Sequence, residues 1–351
     1  MRIVLFCENK YAVDILFPLQ AQADKEGGHE VLWYVHKKKI PDFPLKHNVN
    51  YTNDIKEVYR FRPDAVFAPG NIVPYYLSGV KAQIFHGYAA EKKDQFRIRN
   101  YFDLYLTQGP YFTKEFLKLK EKYKDFEVKE TGWTRQDWVF EHLHDYDDQK
   151  REILKRYRKE KLVLYSPTFS PKLTSLPHLK EELIRLAQHE AVVILIKLHP
   201  LTRQEWVNEY KQLADEVENI VFVEDFSLSP YVAMADLMIS DTSSAVYEML
   251  LRDKPVITLR SIASPEAIYW CNIQEASELS KAYQIVMGND KEYTSKRRWI
   301  IENYDPYLDG KVAERMLGAV KEYIHCHGVP AKRTLNLWRK YTSIKTFGWP
   351  Q

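Results

Sequence analysis

Short apolar runs recur along this chain, each followed by a stretch with helical spacing, and that alternation restricts the fold more than any other feature. The first half opens with an apolar run at 2–7, a helical pattern at 11–26 closed by Gly27-Gly28, and a second run at 30–35. Runs at 64–68, 82–85 and 103–107 each end near glycine, proline or a polar cluster, and helical pattern returns at 111–123. From about residue 141 to 160 the chain is charged and poor in apolar residues, which reads as a partly helical connection. Strands are then expected at 162–165, 191–197, 220–223, 237–240 and 255–259, with helices at 178–190, 204–217 and 243–252 between them. Helical pattern from 275 to 326 closes the second half. Such alternation predicts an α/β fold with parallel sheets covered on both faces. Two such blocks in 351 residues predict two domains, 1–145 and 146–325, followed by a basic and aromatic tail at 326–351.

Composition narrows the function classes. Charged residues make up 28% of the chain and the net charge is +3, so no nucleic-acid partner is called for. Cys7, Cys271 and Cys326 lack paired spacing, so neither a disulfide framework nor a zinc site is expected. His325-Cys326-His327 is not read as a metal cluster, because adjacent residues on a helix point apart. The run at 2–7 is too short for a signal peptide, and no window nears the roughly 20 apolar residues of a spanning helix. A cytoplasmic location is the expectation. The turn after the first run, Glu8-Asn9-Lys10-Tyr11, lacks the Gly-x-Gly-x-x-Gly spacing of a dinucleotide site.

Ligands of open parallel sheets bind outside the carboxyl ends of the strands, so polar clusters that follow a strand are the candidates. The run at 237–239 ends in Ser240-Asp241-Thr242-Ser243-Ser244, and Val246, Met249 and Leu250 then fall at helical spacing. Hydroxyls and free backbone N–H groups at a helix start suit a phosphate or diphosphate; the alternative is that Asp241 or Thr242 only caps the helix. Gln83-Ile84-Phe85 leads into His86-Gly87. That histidine is placed either as a general base or as a loop residue capping backbone groups. Residues 192–196 lead into Lys197-Leu198-His199-Pro200, where alternation would put Lys197 and His199 on one face toward an anion. Alternatively Lys197 reaches solvent and His199 packs on the turn. Ser166-Pro167-Thr168 after the run at 162–165 is ordinary turn chemistry when taken alone. Glu248, one turn beyond Ser244, suits a ribose diol or simply solvent. Near the end, Asp309 fits a cap for a helix at 311–326, with Lys311 or Arg315 able to lean into a cleft. No nucleophile arrangement or Walker sequence is evident. The inventory of basic groups, hydroxyls and one candidate base suits group transfer from a nucleotide-linked donor.

Taken in order, His86-Gly87, Ser166-Pro167-Thr168, Lys197-Leu198-His199-Pro200, Ser240-Asp241-Thr242-Ser243-Ser244 with Lys254-Pro255-Val256, and Tyr307-Leu308-Asp309-Gly310-Lys311 resemble one family. It is the CDP-glycerol glycerophosphotransferases of teichoic acid and capsule synthesis. The resemblance covers roughly residues 80–325 and is strongest from 162 to 259. It implies a GT-B fold, two Rossmann-like domains with parallel sheets facing a central cleft, the donor held by the C-terminal one. It also implies a metal-independent reaction with no cofactor beyond a CDP-alcohol co-substrate. By this analogy His86 deprotonates an acceptor hydroxyl, which attacks the β-phosphorus with inversion and no covalent intermediate. His199, Ser243 and Ser244 would hold the diphosphate and stabilise departing CMP. Thr168, Lys197 and Thr242 would line the same phosphate site, Glu248 would meet the ribose, and Gly87, Asp241, Asp309 and Lys311 would border the cleft.

Three departures leave the donor alcohol open. The family often has an aromatic and Arg-Asp where this chain has Phe169-Ser170-Pro171, Tyr in place of Thr242, and Asp in place of Glu248. A long membrane-associating N-terminal region like that typical of the polymerases is not expected either. A glycan or lipid-linked acceptor is the expected partner. The basic tail is expected to pack back on the N-terminal domain, at least by its first half, or to rest on an anionic membrane surface. Two rival readings are a GT-B glycosyltransferase or UDP-sugar 2-epimerase, and a non-catalytic nucleotide- or glycan-binding module.

Overall fold

The computed structural model describes residues 1–43, 48–88, 90, 95–225, 227–262, 270–288, 291–330 and 336–350. They belong to two compact units, one comprising Met1–Glu141 with Asn303–Gln351 and the other His142–Glu302. Each is an α/β unit with an all-parallel sheet, the fold class expected from the alternation.

The first unit contains β1 (Arg2–Cys7), α1 (Ala12–Glu26), β2 (Glu30–Val35), β3 (Tyr51–Thr52), α2 (Ile55–Phe61), β4 (Ala65–Ala68), β5 (Val80–Gln83), β6 (Leu104–Thr107), α3 (Pro110–Tyr123), β7 (Glu127–Glu130) and α4 (Arg135–Glu141). The second contains α5 (Asp147–Tyr157), β8 (Lys161–Tyr165), α6 (Leu176–His189), β9 (Val192–Ile196), α7 (Gln204–Glu216), β10 (Ile220–Phe222), α8 (Ser229–Met234), β11 (Leu237–Ser240), α9 (Ala245–Leu250), β12 (Val256–Leu259), β13 (Cys271–Ile273), α10 (Leu279–Met287) and α11 (Lys291–Tyr304), whose last turn crosses the boundary. The chain returns to the first unit through α12 (Val312–His327) and α13 (Leu337–Phe347).

The sheet orders are β3-β2-β1-β4-β5-β6-β7 and β10-β9-β8-β11-β12-β13. Both reverse direction once, between β1 and β4 and between β8 and β11, and such a switch point opens a crevice at the carboxyl ends of the strands. The central strands read as unbroken apolar runs because both faces are covered: β9, β11 and β12 are buried throughout. The second unit's core is mostly aliphatic around Tyr165 and Tyr210. The first is aromatic, with Tyr105 packed on Phe116 and Phe126 at ring distances of 4.9 and 4.7 Å.

Elements missed in the sequence are those without an apolar run. Strand β7 reads Glu-Val-Lys-Glu along a half-exposed edge, while β3 and β13 span only two and three residues. The charged connection at 141–160 holds α5, none of whose residues is buried.

The expected boundaries need correction. Residues 303–325 belong to the first unit, not the second. The reason is α12, whose buried face of Val312, Ala313, Met316, Leu317, Ala319 and Val320 packs with α1 and α4. Its first turn is capped from α4, where the Asp137 carboxylate accepts from the N–H groups of Val312 at 2.8 Å and Ala313 at 2.7 Å. The tail packs back on the first unit as expected, but through its later half rather than its first. Its buried anchors are Ser343, whose Oγ accepts from Tyr75 N–H at 3.0 Å, and Phe347, set 5.4 Å from the ring of Phe6. Both lie in the later half of the tail, whereas Leu337 and Trp338 at the start of α13 are 71% and 75% exposed. Residues 331–335, including basic Arg333, and Gln351 lie outside the described residues. Among the described residues no helix is long and apolar enough to cross a membrane.

Candidate active site

In the second unit, the predicted residues gather on the loops that leave β8, β9 and β11, around its switch point. Asp241 organises them. It is 1% exposed, and its carboxylate accepts from Thr168 N–H at 2.8 Å, Ser175 N–H at 2.8 Å and the Ser175 hydroxyl at 3.0 Å. Burial pushes this carboxyl up to about 6, against the pull of those three bonds. The Ser240 hydroxyl adds a second tie, donating to Ser166 C=O at 2.6 Å. The sequence offered Asp241 as a cap or a cleft-bordering group; it is a buried staple joining the loops after β8 and β11.

That staple changes how neighbouring residues can act. The backbone N–H of Thr168 is already taken, which leaves its hydroxyl side for a ligand. The Thr242 hydroxyl accepts from Ile262 N–H at 3.2 Å, tying in the loop after β12. Ser243 Oγ accepts from Ala245 N–H at 3.3 Å in the turn that enters the helix, whose N-cap is Ser244 rather than Asp241 or Thr242. Helix α9 spans six residues rather than the ten expected, and Ser244 at its start is exposed. Glu248 lies half-buried on the same helix, one turn after Ser244.

Lys197 and His199 do not share a strand face. Strand β9 ends at Ile196; Lys197 then turns inward, 6% exposed, with Nζ donating to Leu198 C=O at 3.5 Å. Burial lowers its pKa from the ordinary lysine value, with nearby Asp225 opposing. Lys197 therefore does not reach solvent. His199 is exposed but leans on Phe169, the ring centroids 4.4 Å apart. Burial of that kind, and then the charge of Lys197, hold its imidazole below the usual histidine range. Its Nδ1 accepts from Leu201 N–H at 3.1 Å. An N–H can only donate, so the neutral ring carries its proton on Nε2.

In the first unit, His86 is exposed just beyond β5, and its Nδ1 lies 3.1 Å from Pro69 C=O. A carbonyl can only accept, so here the proton sits on Nδ1 and the neutral ring's lone pair on Nε2. The residue before it, Phe85, has a left-handed backbone at φ 59°, an uncommon conformation for a buried aromatic. At Gly87 an added Cβ would meet no atom of the described residues within 4 Å, its two chain neighbours aside.

Two residues of this unit escaped the sequence reading. Glu8 directly follows β1 at the switch point, and burial pushes its carboxyl up to about 7, with Lys39 opposing. It fills the space a side chain on Gly70 would need: a Cβ there would fall 2.6 Å from Glu8 Oε2. Tyr11 lies with its ring 5.6 Å from that of His86. The available signal was position alone, immediately after the first strand.

Asp309 and Lys311 also lie in the first unit. Asp309 accepts from Lys311 N–H at 3.1 Å and is held by two Arg315 bonds at 2.8 and 3.1 Å, which lower its pKa. Asp309 therefore closes the turn just before α12 rather than capping the helix, whose first N–H groups go to Asp137; Arg315 is committed to Asp309, while the Lys311 side chain is exposed.

Several known proteins are similar to this chain. Residues 78–261, just over half of the chain, match the family model of CDP-Glycerol:Poly(glycerophosphate) glycerophosphotransferase. The teichoic acid ribitol-phosphate polymerase TarL of Staphylococcus aureus (strain NCTC 8325 / PS 47) is 27% identical over 248 residues, 64% of this chain and 42% of that protein. The teichoic acid glycerol-phosphate primase of Bacillus spizizenii (strain ATCC 23059 / NRRL B-14472 / W23) is 33% identical over 105 residues, 28% of this chain and 25% of that protein. The chain thus spans less than half the length of either relative. Among solved structures, the wall teichoic acid polymerase TagF aligns with a TM-score of 0.68 at 15% identity, covering 92% of this chain and 89% of that one. The UDP-GlcNAc 2-epimerase of Neisseria meningitidis, bound to UDP-GlcNAc, aligns at 0.65 and 14% identity, covering 92% of this chain and all of that one. The structural likenesses establish the two-unit fold, and the family match establishes kinship: this chain belongs to the CDP-glycerol:poly(glycerophosphate) glycerophosphotransferase family.

Proposed function

We propose that this protein transfers a glycerol-phosphate, or related polyol-phosphate, unit from a CDP-alcohol to a hydroxyl of a glycan or lipid-linked acceptor in cell-surface polymer synthesis. Family membership supports the reaction class. The observation that carries the chemistry is the pair of opposite histidine tautomers. His86, its proton held on Nδ1 by Pro69, offers Nε2 as a base; His199, its Nδ1 occupied by Leu201, offers Nε2–H as a donor.

In this reading His86 Nε2 takes the acceptor's hydroxyl proton as the acceptor oxygen bonds to the β-phosphorus. The bond from that phosphorus to the bridging oxygen breaks, inverting the centre, and CMP departs with the electron pair. His199, kept neutral by its lowered pKa, donates to a phosphate oxygen, and buried Lys197 supplies positive charge behind it. The hydroxyls of Thr168, Thr242, Ser243 and Ser244 line the diphosphate, and Glu248 meets the ribose. No metal or cofactor is invoked.

CMP release on incubation with CDP-glycerol or CDP-ribitol, using glycerol-phosphate and ribitol-phosphate oligomers as acceptors, tests this directly. UDP release from UDP-sugars with no CMP from either CDP-alcohol would favour the glycosyltransferase or epimerase reading. In the transferase, His86→Ala lowers turnover about 10²-fold or more while nucleotide affinity barely changes. Unchanged turnover in that variant would remove His86 from the chemistry, and nucleotide binding without release of CMP or UDP by the wild type would leave a nucleotide- or glycan-binding module as the reading.

Contact with an anionic membrane face through α13 completes the proposal. Leu337, Trp338, Tyr341 and Trp349 are exposed, Lys345 lies among them, and no acidic residue follows Glu322. Amphipathic rings beside lysines suit a lipid headgroup layer, each cation contributing roughly 1 kcal/mol near it.

A further inference from the structure

We infer that Asp305 is a positioning residue for His86, holding both ends of the loop that presents the imidazole. This rests on the proposed role of His86 as the base.

The loop needs holding. Phe85 turns left-handed at φ 59°, which is unfavourable for an L-residue and persists only where surroundings impose it. Four hydrogen bonds impose it here. Phe85 C=O accepts from the Trp133 indole at 3.3 Å, His86 donates to Pro69, and Gly87 C=O accepts from the Gln108 side chain at 2.7 Å. The fourth runs from the Tyr88 hydroxyl to Asp305 Oδ2 at 2.6 Å.

Asp305 controls the first of these as well as the last. Its Oδ2 also accepts from Trp133 N–H at 2.9 Å, and its Oδ1 accepts from Tyr307 N–H at 3.2 Å. Trp133 is thus fixed by its backbone to Asp305 and by its indole to Phe85. Its ring meets that of Tyr88 edge-on at 4.9 Å. One carboxylate therefore fastens the loop directly at Tyr88 and, through Trp133, at Phe85. Asp305 is 2% exposed, and burial pushes its carboxyl up to about 7, with Tyr88 and the two backbone N–H groups opposing. Such a costly placement calls for partners, and two of the three, Tyr88 and Trp133, are tied to the loop that carries the base.

The test uses Tyr88→Phe, which removes one hydrogen bond and keeps the ring, and Asp305→Asn, which keeps the shape. Each should lower kcat for CMP release from CDP-glycerol about tenfold or more through misplacement of the base. The Kd for CDP should stay within about twofold. NMR of ¹³C-labelled histidine should show the His86 resonance displaced and its titration shifted. In a His86→Ala background neither substitution should cost further turnover, as expected for residues acting through one group. An unmoved His86 resonance in Tyr88→Phe would overturn the inference, as would equal losses in the wild-type and His86→Ala backgrounds. Should Asp305→Asn fail to fold, Tyr88→Phe alone decides. Loss of the base assignment reads out separately, as unchanged turnover in His86→Ala.

Discussion

His86 and His199 are held in opposite tautomers, the first by a carbonyl acceptor at Pro69 and the second by an N–H donor at Leu201. Glutamine distinguishes the two roles, because its amide nitrogen reaches about where Nε2 lies but cannot act as a base. His199→Gln should keep affinity for CDP within about threefold, whereas His199→Ala should lose about tenfold, the worth of one hydrogen bond to a charged group. His86→Gln should be as impaired in turnover as His86→Ala. Calorimetric titration with CDP, alongside CMP-release rates, measures both; a glutamine that rescues position 86 contradicts the assignment.

Asp241 carries the loop architecture of the second unit. Asp241→Ala leaves the half-buried N–H of Thr168 and the buried N–H of Ser175 without their acceptor and strips the Ser175 hydroxyl of one partner, which should cost about 3 kcal/mol or more. Urea denaturation should show that loss, and CDP affinity should fall with it because Thr168 is released.

Asp305 should leave a signature in the pH dependence of stability. Its carboxyl lies at about 7 in the folded chain, against about 3.9 for an unperturbed aspartate. Between those values the folded state holds a proton that the unfolded state has released, so this group's contribution is complete below about pH 4 and is lost as pH rises through 7. Asp305→Asn does not titrate there. The stability gap between wild type and variant should therefore narrow from pH 5 to pH 8, by an amount on the order of a few kcal/mol. Thermal melts at constant ionic strength provide the measurement. A gap that widens with pH would contradict the assigned direction.

The outer face of α13 should be dispensable for folding and needed for lipid binding. Trp338→Ser with Tyr341→Ser should shift Tm by no more than a degree or two, since both side chains are exposed. Sedimentation with phosphatidylglycerol vesicles should fall several-fold, and Lys345→Glu should act in the same direction. Equal binding to neutral phosphatidylcholine vesicles would argue against the electrostatic part. Light scattering that shows dimers lost in the double variant would make the face a protein contact instead.

Much of the fold was legible because buried parallel strands write themselves as apolar runs; β1, β2 and β11 lie where the pattern put them. The failures have two causes, a strand without an apolar run and a helix whose stabilising partner is distant in the chain. Strand β7 is polar and depends on β6 for its hydrogen bonds. Helix α12 follows the second block in sequence but finds its apolar partners on α1 and its cap at Asp137, 175 residues before.

The same division holds for the candidate site. Residue type and position after a strand singled out His86, His199 and the Ser240–Ser244 cluster, since exits of parallel strands are where ligands bind. Which imidazole nitrogen bears the proton, and whether a polar side chain faces ligand or core, depend on groups brought near only by folding. Pro69 decides the first for His86. Ser175 and Thr168 decide the second for Asp241, and burial beside Leu198 decides it for Lys197. Local sequence carries periodicity; hydrogen-bond partners far along the chain are set by topology alone.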